Sequence, residues 1–194
     1  EAALERVRSK TMAMHNSQDV GATVGSMFDE LVKLGIEKSV RCGIGILDQN
    51  KPMELWTASS NRDGEVVLNI GFLDMSLHPL LNGVVNAWKK KETNFTYELK
   101  GKDLLKYFTA LNESPEYLFH VDLKSLPKKT IHNSFLFSEG TLFAFSPHPL
   151  TEEEEQIFKR FAGVFGQTYT RYLDLLKAEA QAREAEIEAA LERV

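Results

Sequence analysis

The last 44 residues limit the fold more than any other part of the chain. From Thr151 to Val194 there is no proline, and the last glycine is Gly166. Thr151 and Glu154 have the spacing of a helix capping box, and the glutamates at 152–155 suit the positive end of a helix dipole. We therefore predict one helix that begins near Thr151 and, over its full extent, is about 66 Å long.

The two halves of this predicted helix carry different apolar patterns. In the first half, large aromatic residues follow spacings of 3, 4 and 4, which is typical of a helix that packs one face on a domain. They are Phe158, Phe161, Phe165 and Tyr169. In the second half the spacing alternates between 3 and 4, a coiled-coil pattern, through Leu173, Leu176, Ala180, Arg183, Ile187, Ala190 and Val194. A helix that projects into water favours a partner, here a parallel homodimer; a single solvated helix is the alternative.

The chain contains one run of seven residues twice. Glu1–Val7 and Glu188–Val194 both read EAALERV, at an offset of 187 positions (188 − 1). Repetition at a fixed period indicates repeated structural units. We therefore expect a longer protein in which successive modules of this kind are joined by the same helix.

This interpretation divides the chain into residues 1–16 and 173–194 as helical connectors and residues 17–172 as the domain between them. The 3–4 spacing at the start of the chain continues the apolar seam of the other end. The predicted homodimer seam therefore combines both connectors: Leu4, Val7, Met14, Leu173, Leu176, Ile187 and Val194.

Between the connectors, strand patterns are grouped in hairpins and helix patterns lie outside them. Helices are predicted at 17–35, from Pro79 and at 103–112, and strands at 40–47, 53–59, 65–73, 94–99, 117–124, 130–137 and 141–146, with turns at 48–52 and 61–64. Because hairpins pair their strands antiparallel, this order predicts an α+β fold with one central antiparallel sheet.

Residues 15–172 resemble a GAF-like domain, a sensory module of histidine kinases and nucleotide cyclases. The stretches LERVRSKTMAM (4–14) and KAEAQAREA (177–185) are similar to connectors of bacterial sensor kinases that carry several such modules in series. The resemblance implies a GAF/PAS-like sheet, with the terminal helices bundled on one face and the middle helices on the other. It also implies adjacent GAF-like and kinase modules in the same chain.

Charge and cysteine content exclude some classes of function. The net charge is −5, whereas a broad nucleic-acid-binding surface needs clustered lysine and arginine. No 18-residue apolar run predicts a membrane span, and residues 1–8 are charged rather than signal-like. The single cysteine, Cys42, suits a reducing compartment, so we expect a cytoplasmic protein with no nucleic-acid or membrane partner.

The sequence contains no strong catalytic motif, so we expect no enzyme, no cofactor and no metal. His120, Asp122 and His132 are residue types that bind metals, but alternation along the predicted strand favours a solvated face for the first two. Cys42 alternates with apolar residues and is interpreted as a buried structural residue.

Aromatic residues with polar tips are the candidates for a ligand pocket. With one histidine they form the predicted set Trp56, His78, Trp88, Tyr97 and Tyr107. Core filling is the alternative for each of them. Two hypotheses of function follow: a sensory module that binds a small ligand or relays a signal through dimeric connector helices, and a ligand-free dimerising spacer within a tandem array.

Overall fold

A computed structural model gives the fold and describes residues 1–14, 17–37, 40–60, 65–117 and 120–191. The elements are α1 (Ala2–Met12), α2 (Ser17–Lys33), β1 (Arg41–Ile46), β2 (Met53–Ser60), β3 (Val66–Leu73), α3 (Pro79–Lys89), β4 (Asn94–Lys100), α4 (Gly101–Glu113), β5 (Lys129–Phe137), β6 (Gly140–Ser146) and α5 (Glu152–Leu191). The six strands form one sheet in the order β3-β2-β1-β6-β5-β4, with antiparallel pairing between all neighbours. The predicted α+β class with a central antiparallel sheet is confirmed.

Local signals in the sequence account for where the long helices begin and end. The Thr151 hydroxyl accepts a hydrogen bond from the Glu154 amide, and the Glu154 carboxylate accepts one from the Thr151 amide, which completes the predicted capping box. After α2, Gly35 adopts a φ of 98°, a left-handed conformation that glycine takes without steric cost. The helix predicted at 17–35 therefore ends where expected.

Both faces of the sheet are buried, by different helices. Along β2, Trp56 and Ala58 face α1, α2 and α5, whereas Met53, Leu55 and Thr57 face α3 and α4. We call the first side the bundle face and the second the cavity face. Because successive side chains of a strand point to opposite sides, each strand contributes to two separate apolar cores.

On the bundle face, α5 packs through its predicted aromatic row. Phe158 stacks on Phe135 of β5 at 5.4 Å between ring centroids, and Phe165 lies 5.7 Å from Phe137. The four aromatic residues of the row, Phe158, Phe161, Phe165 and Tyr169, are all buried. The first half of the helix is therefore part of the domain, as its spacing predicts.

The N-terminal part of the predicted dimer seam lies elsewhere than expected. Leu4, Val7 and Met14 are buried in the core of the bundle face, and α1 packs against α2 and α5 of its own chain. Docking of α1 within its own chain accounts for this apolar spacing, so the spacing does not require a second copy. The boundary predicted after residue 16 likewise separates α1 from a unit into which it is packed.

Helices α1 and α5 run in the same direction. At one end, Arg160 donates a hydrogen bond to the Glu1 carboxylate at 2.6 Å. At the other end, Tyr172 packs against the bundle-face core, and its pKa is raised by burial and then by the charges of Asp19 in α2 and Glu54. Only four residues, 13–16, separate α1 from α2, so we infer that the C-terminal end of α1 lies on the Tyr172 side of the bundle. The chain therefore enters and leaves the bundle along one axis.

Two other predictions are affected by the structure. The strand expected at 117–124 is wrong for its described part, because Tyr117 makes an isolated bridge to Gly71 and residues 123–125 form a 3-10 helix. The turn at 61–64 and the seam residue Val194 lie outside the described residues. Within the described ranges, no helix combines the length and apolar character that a membrane crossing requires.

The second half of α5 leaves the domain. All residues from 173 to 191 are exposed, among them the seam residues Leu173, Leu176 and Ile187. Helix formation in water without tertiary packing is marginal, so this stretch is where a partner helix would contribute most.

We predict that replacing Leu176 and Ile187 together with lysine converts a dimer into a monomer while the domain stays folded, because two charges would enter the apolar seam. Light scattering over a concentration series measures the mass, and circular dichroism measures the fold. The matched control is Ala178→Lys with Ala185→Lys, which adds the same charges to α5 outside the seam. A wild-type chain that stays monomeric at high micromolar concentration contradicts the prediction.

Candidate functional site

Three of the five predicted pocket residues lie together on the cavity face. The His78 ring is edge-on to Tyr107 at 5.3 Å and to Tyr97 at 6.1 Å between centroids. The Tyr97 hydroxyl donates to Asp103 at 3.0 Å, and His78 Nε2 lies 3.2 Å from the other oxygen of that carboxylate, outside hydrogen-bonding geometry. His78 Nδ1 accepts a hydrogen bond from the Leu80 amide and so caps α3. This cluster therefore fixes α3, β4 and α4 to one another.

The two tryptophans lie away from that cluster. Trp56 is buried on the bundle face, on the opposite side of the sheet from His78. Trp88 donates its indole N–H to the carbonyl of Ser138 at 2.9 Å and lines an open surface cleft of about 690 Å³. The predicted five-residue pocket is therefore not formed as a single site.

Between the sheet and helices α3 and α4 lies a small cavity of about 20 Å³. Its lining combines apolar residues of both layers with a set of polar side chains that converge from the strands, from α4 and from the segment that follows α4. The polar members are Arg41, Thr57, Tyr107, Tyr117, His132, Ser134 and Thr141. A volume of this size is enough for about one water molecule, whereas sites for small organic ligands measure about 300–1,000 Å³.

His132 is the polar group least satisfied in this cavity. Its side chain is buried, its Nε2 lies 2.8 Å from the Ser134 hydroxyl, and its Nδ1 has no hydrogen-bond partner among the residues that the structure describes. Burial, and then the positive charge of Arg41, lower the pKa of His132 to about 3. A neutral imidazole with one open nitrogen is suited to exchange a hydrogen bond with a bound molecule.

Arg41 brings a positive charge to the same place. Its guanidinium carbon lies 4.3 Å from the centroid of the Phe145 ring and 5.8 Å from that of Phe108. Burial raises the pKa of Tyr107, and Arg41 opposes that rise through its charge and a hydrogen bond. Arg41 therefore lies close enough to influence the tyrosine and histidine groups of the cavity.

Two glycines of β1 make room for this arrangement. Gly43 and Gly45 share the cavity face with Arg41, and a Cβ at these positions would collide with Phe143 and Met53, respectively. Side chains of the neighbouring strands thus lie directly over the β1 backbone. Because these glycines have no side chain, Phe143 and Met53 pack against the β1 backbone and line the cavity beside the polar groups.

An apolar groove of about 350 Å³ lies next to the cavity. Arg41 and Phe145 line both spaces, and the outer wall is formed by residues of the 121–127 segment, including Val121, Leu126 and Pro127. Of the described residues that line the cavity or the groove, the charged ones are Arg41 and Lys129, and both are cations. The groove and the cavity therefore meet at Arg41 and Phe145.

The remaining candidate residues have structural surroundings. Cys42 is buried on the bundle face, which confirms its interpretation as a core residue, and burial raises the pKa of its thiol to about 12. His120 and Asp122 are exposed, and Asp122 accepts a hydrogen bond from the Lys124 amide. Among the residues with described positions, no three His, Cys, Asp or Glu side chains form a metal-binding group.

Sequence reasoning missed Arg41 as a site residue and did not place His132 in a pocket. One signal was present in each strand: Arg41 alternates with Gly43 and Gly45, and Thr130, His132 and Ser134 follow one another at period two. Polar and small residues with period two in an otherwise apolar strand mark a face that is not filled by ordinary core packing.

The chain was compared with models of protein families, with curated proteins and with solved structures, and none of the three comparisons gives a match. The interpretation of the cavity therefore depends on its own residues.

We predict that the free energy of unfolding falls as the pH is lowered from 6.5 towards 4.5, and that His132→Gln removes this fall. Because the pKa of His132 is about 3 in the folded protein and ordinarily 6.5, the unfolded state binds the proton first, so stability is complete above pH 6.5 and is lost as the pH falls towards 3. The slope should approach about 1.4 kcal/mol per pH unit.

Urea unfolding at several pH values measures this slope, with the exposed His120→Gln as the matched control. The pH range of this effect differs from that of Glu30. Hydrogen bonds from Arg6 and Lys33 lower the pKa of Glu30 from 4.5 to about 2, so its contribution to stability is lost only below pH 4.5. An unchanged slope in His132→Gln would show that the buried imidazole is not the cause.

Proposed function

We propose that this chain is a non-catalytic, GAF-like sensory module of a bacterial signalling protein, in which a small ligand at the cavity changes the arrangement of the terminal helices. The observation that carries the proposal is the buried polar set around Arg41 and the open Nδ1 of His132, which lies on one face of the sheet while α1 and α5 pack on the other. A cation and a neutral imidazole beside an apolar groove suit a small anionic or polar molecule.

The layers support the GAF-like assignment. Helices α1, α2 and α5 pack together on the bundle face, and α3 and α4 cover the opposite face. This is the arrangement that the resemblance implies, with terminal helices on one side and middle helices on the other. Adjacent modules of the same chain, including a kinase module, and a cytoplasmic location belong to this proposal.

Strand β5 offers the shortest route between the ligand and the helices. His132 and Ser134 point to the cavity face, whereas Phe135 and Phe137 of the same strand pack on Phe158 and Phe165 of α5. If β5 has two placements, a ligand with a higher affinity for one of them shifts the equilibrium towards it. The aromatic contacts then transmit that shift to α5. The homodimer proposed for the second half of α5 would carry the change onwards.

The buried serine and histidine pair argues for binding rather than catalysis. Ser134 and His132 are within hydrogen-bonding distance, as in a nucleophile and its general base. A general base is most effective when its pKa lies near the working pH, whereas the pKa of His132 is about 3. Within the described part of the chain, the open Nδ1 also has no third group of the kind that orients the imidazole in a catalytic triad.

The size of the cavity favours the alternative, a ligand-free dimerising spacer. About 20 Å³ holds little more than a water molecule, so an organic ligand requires α3, α4 or the 121–127 segment to move outwards. The two functions differ in one respect that can be measured, namely whether the purified protein carries or acquires a bound molecule through Arg41.

We predict that native mass spectrometry of the full chain, purified gently from cells, shows an additional mass that Arg41→Met loses and Arg171→Met keeps. Arg171 is an exposed arginine of α5 and serves as the matched control. Release of the ligand should also change hydrogen exchange in α5, because of the β5 contacts. If all three proteins have the bare polypeptide mass and the same α5 exchange, the spacer function is favoured.

A further inference from the structure

One seven-residue sequence occupies two different environments in this structure. In its first copy, Leu4 is 7% exposed and Val7 is 0% exposed, both packed in the core of the bundle face. In its second copy, which is described as far as Leu191, that leucine is 70% exposed at the end of α5. Leu191 is the equivalent of Leu4 (191 − 187 = 4). A sequence suited to a groove is thus held in water at the second position.

The groove that receives the first copy has complementary charges as well as apolar walls. Arg160 of α5 donates to the Glu1 carboxylate, and Arg6 donates to the Glu30 carboxylate of α2, each at 2.6 Å. Glu30 has only 5% of its side chain exposed and is therefore held within the α1–α2 contact. The second copy repeats both charged residues, as Glu188 and Arg193.

We propose that the segment beginning at Glu188 is the first helix of a further domain of this same fold, and that the α2 and α5 helices of that domain cover Leu191. The occupant of the exposed end of α5 is therefore a neighbouring domain in the same chain. The proposal uses only the part of the proposed function that places modules in series, and it does not depend on a ligand.

The direction and register of the helices give the geometry of the series. Because α1 and α5 run the same way, successive domains follow one another along a common axis. Glu1 lies beside Arg160, and Glu188 lies 28 residues further along the same helix (188 − 160 = 28). At 1.5 Å per residue this separation is about 42 Å. Twenty-eight residues are also four heptads, so in a left-handed coiled coil the next domain returns to the same side of the axis.

The test is a tandem chain in which residues 8–194 follow directly after residue 194 of the complete chain. The second domain then has Glu188–Val194 as its only copy of the EAALERV helix. Leu191→Asp is introduced into this tandem and into the single chain, and Leu4→Asp into the single chain as a reference. Thermal unfolding is followed by calorimetry for each protein.

We expect Leu191→Asp to leave the single chain unchanged and, in the tandem, to lower the Tm of one of the two domains by about 10 °C or more, as Leu4→Asp does in the single chain. Glu188→Lys should lower the Tm of the same domain, and Arg160→Glu in the second domain should restore it. Small-angle scattering should give a separation between domain centres of about 42 Å.

Three results would overturn the inference. An unmutated tandem with only one folded domain shows that the helix cannot serve both modules. A tandem that tolerates Leu191→Asp shows that this leucine stays in water. A single chain that loses as much stability with Leu191→Asp as the tandem does shows that a second copy, rather than a following domain, covers the end of α5.

Discussion

The packing of α5 on β5 and β6 is the contact on which the rest of the structure depends. The rings of Phe158 and Phe165 lie on Phe135 and Phe137, which fixes the helix across the bundle face. Burial of aromatic side chains is among the largest single contributions to a core. Helix α1 then packs on α5 and α2, and the sheet is left with only one face to be covered by α3 and α4. The order of the layers follows from this one contact.

Because the sheet is covered on both faces, its two apolar cores are separated only by the backbone of the strands. In β5, neighbouring residues belong to different cores, since Ser134 faces the cavity and Phe135 faces α5. Close-packed interiors transmit small displacements because they have few voids to absorb them. The cavity face contains the cavity and the adjoining groove, and α5 is the element that leaves the domain on the other side. The same strands therefore carry the cavity on one face and the packing surface of α5 on the other.

Apart from the strand expected at 117–124, periodicity was enough to predict the described elements but not the faces on which their residues lie. Strands β1, β2, β5 and β6 have long buried runs, so alternation cannot tell the bundle face from the cavity face, and Trp56 was grouped with His78 although the sheet separates them. The 3–4 spacing of Leu4 and Val7 is the same for a helix docked on its own domain as for a dimer seam. The polar set of the cavity was missed for a different reason. Arg41 is brought close to Tyr107 and His132 by the fold, and both residues are distant from it in sequence.

The intramolecular docking of α1 restricts where two copies of the chain can meet. The face of α1 that carries Leu4 and Val7 is occupied by its own domain, so among the described residues the proposed homodimer seam retains the stretch of α5 from Leu173 to Ile187. That stretch is about two heptads long, and two of its seam positions are Ala180 and Arg183, which bury little apolar area. Ile70 and Phe72, which are exposed on the edge strand β3, supply further apolar surface on the bundle face, the side of the sheet on which α5 packs. A short seam with weak positions holds two helix arrangements at similar free energy more readily than a continuous leucine seam does. The same weakness that would limit α5 as a dimerisation element therefore suits the change of helix arrangement that the proposed function requires.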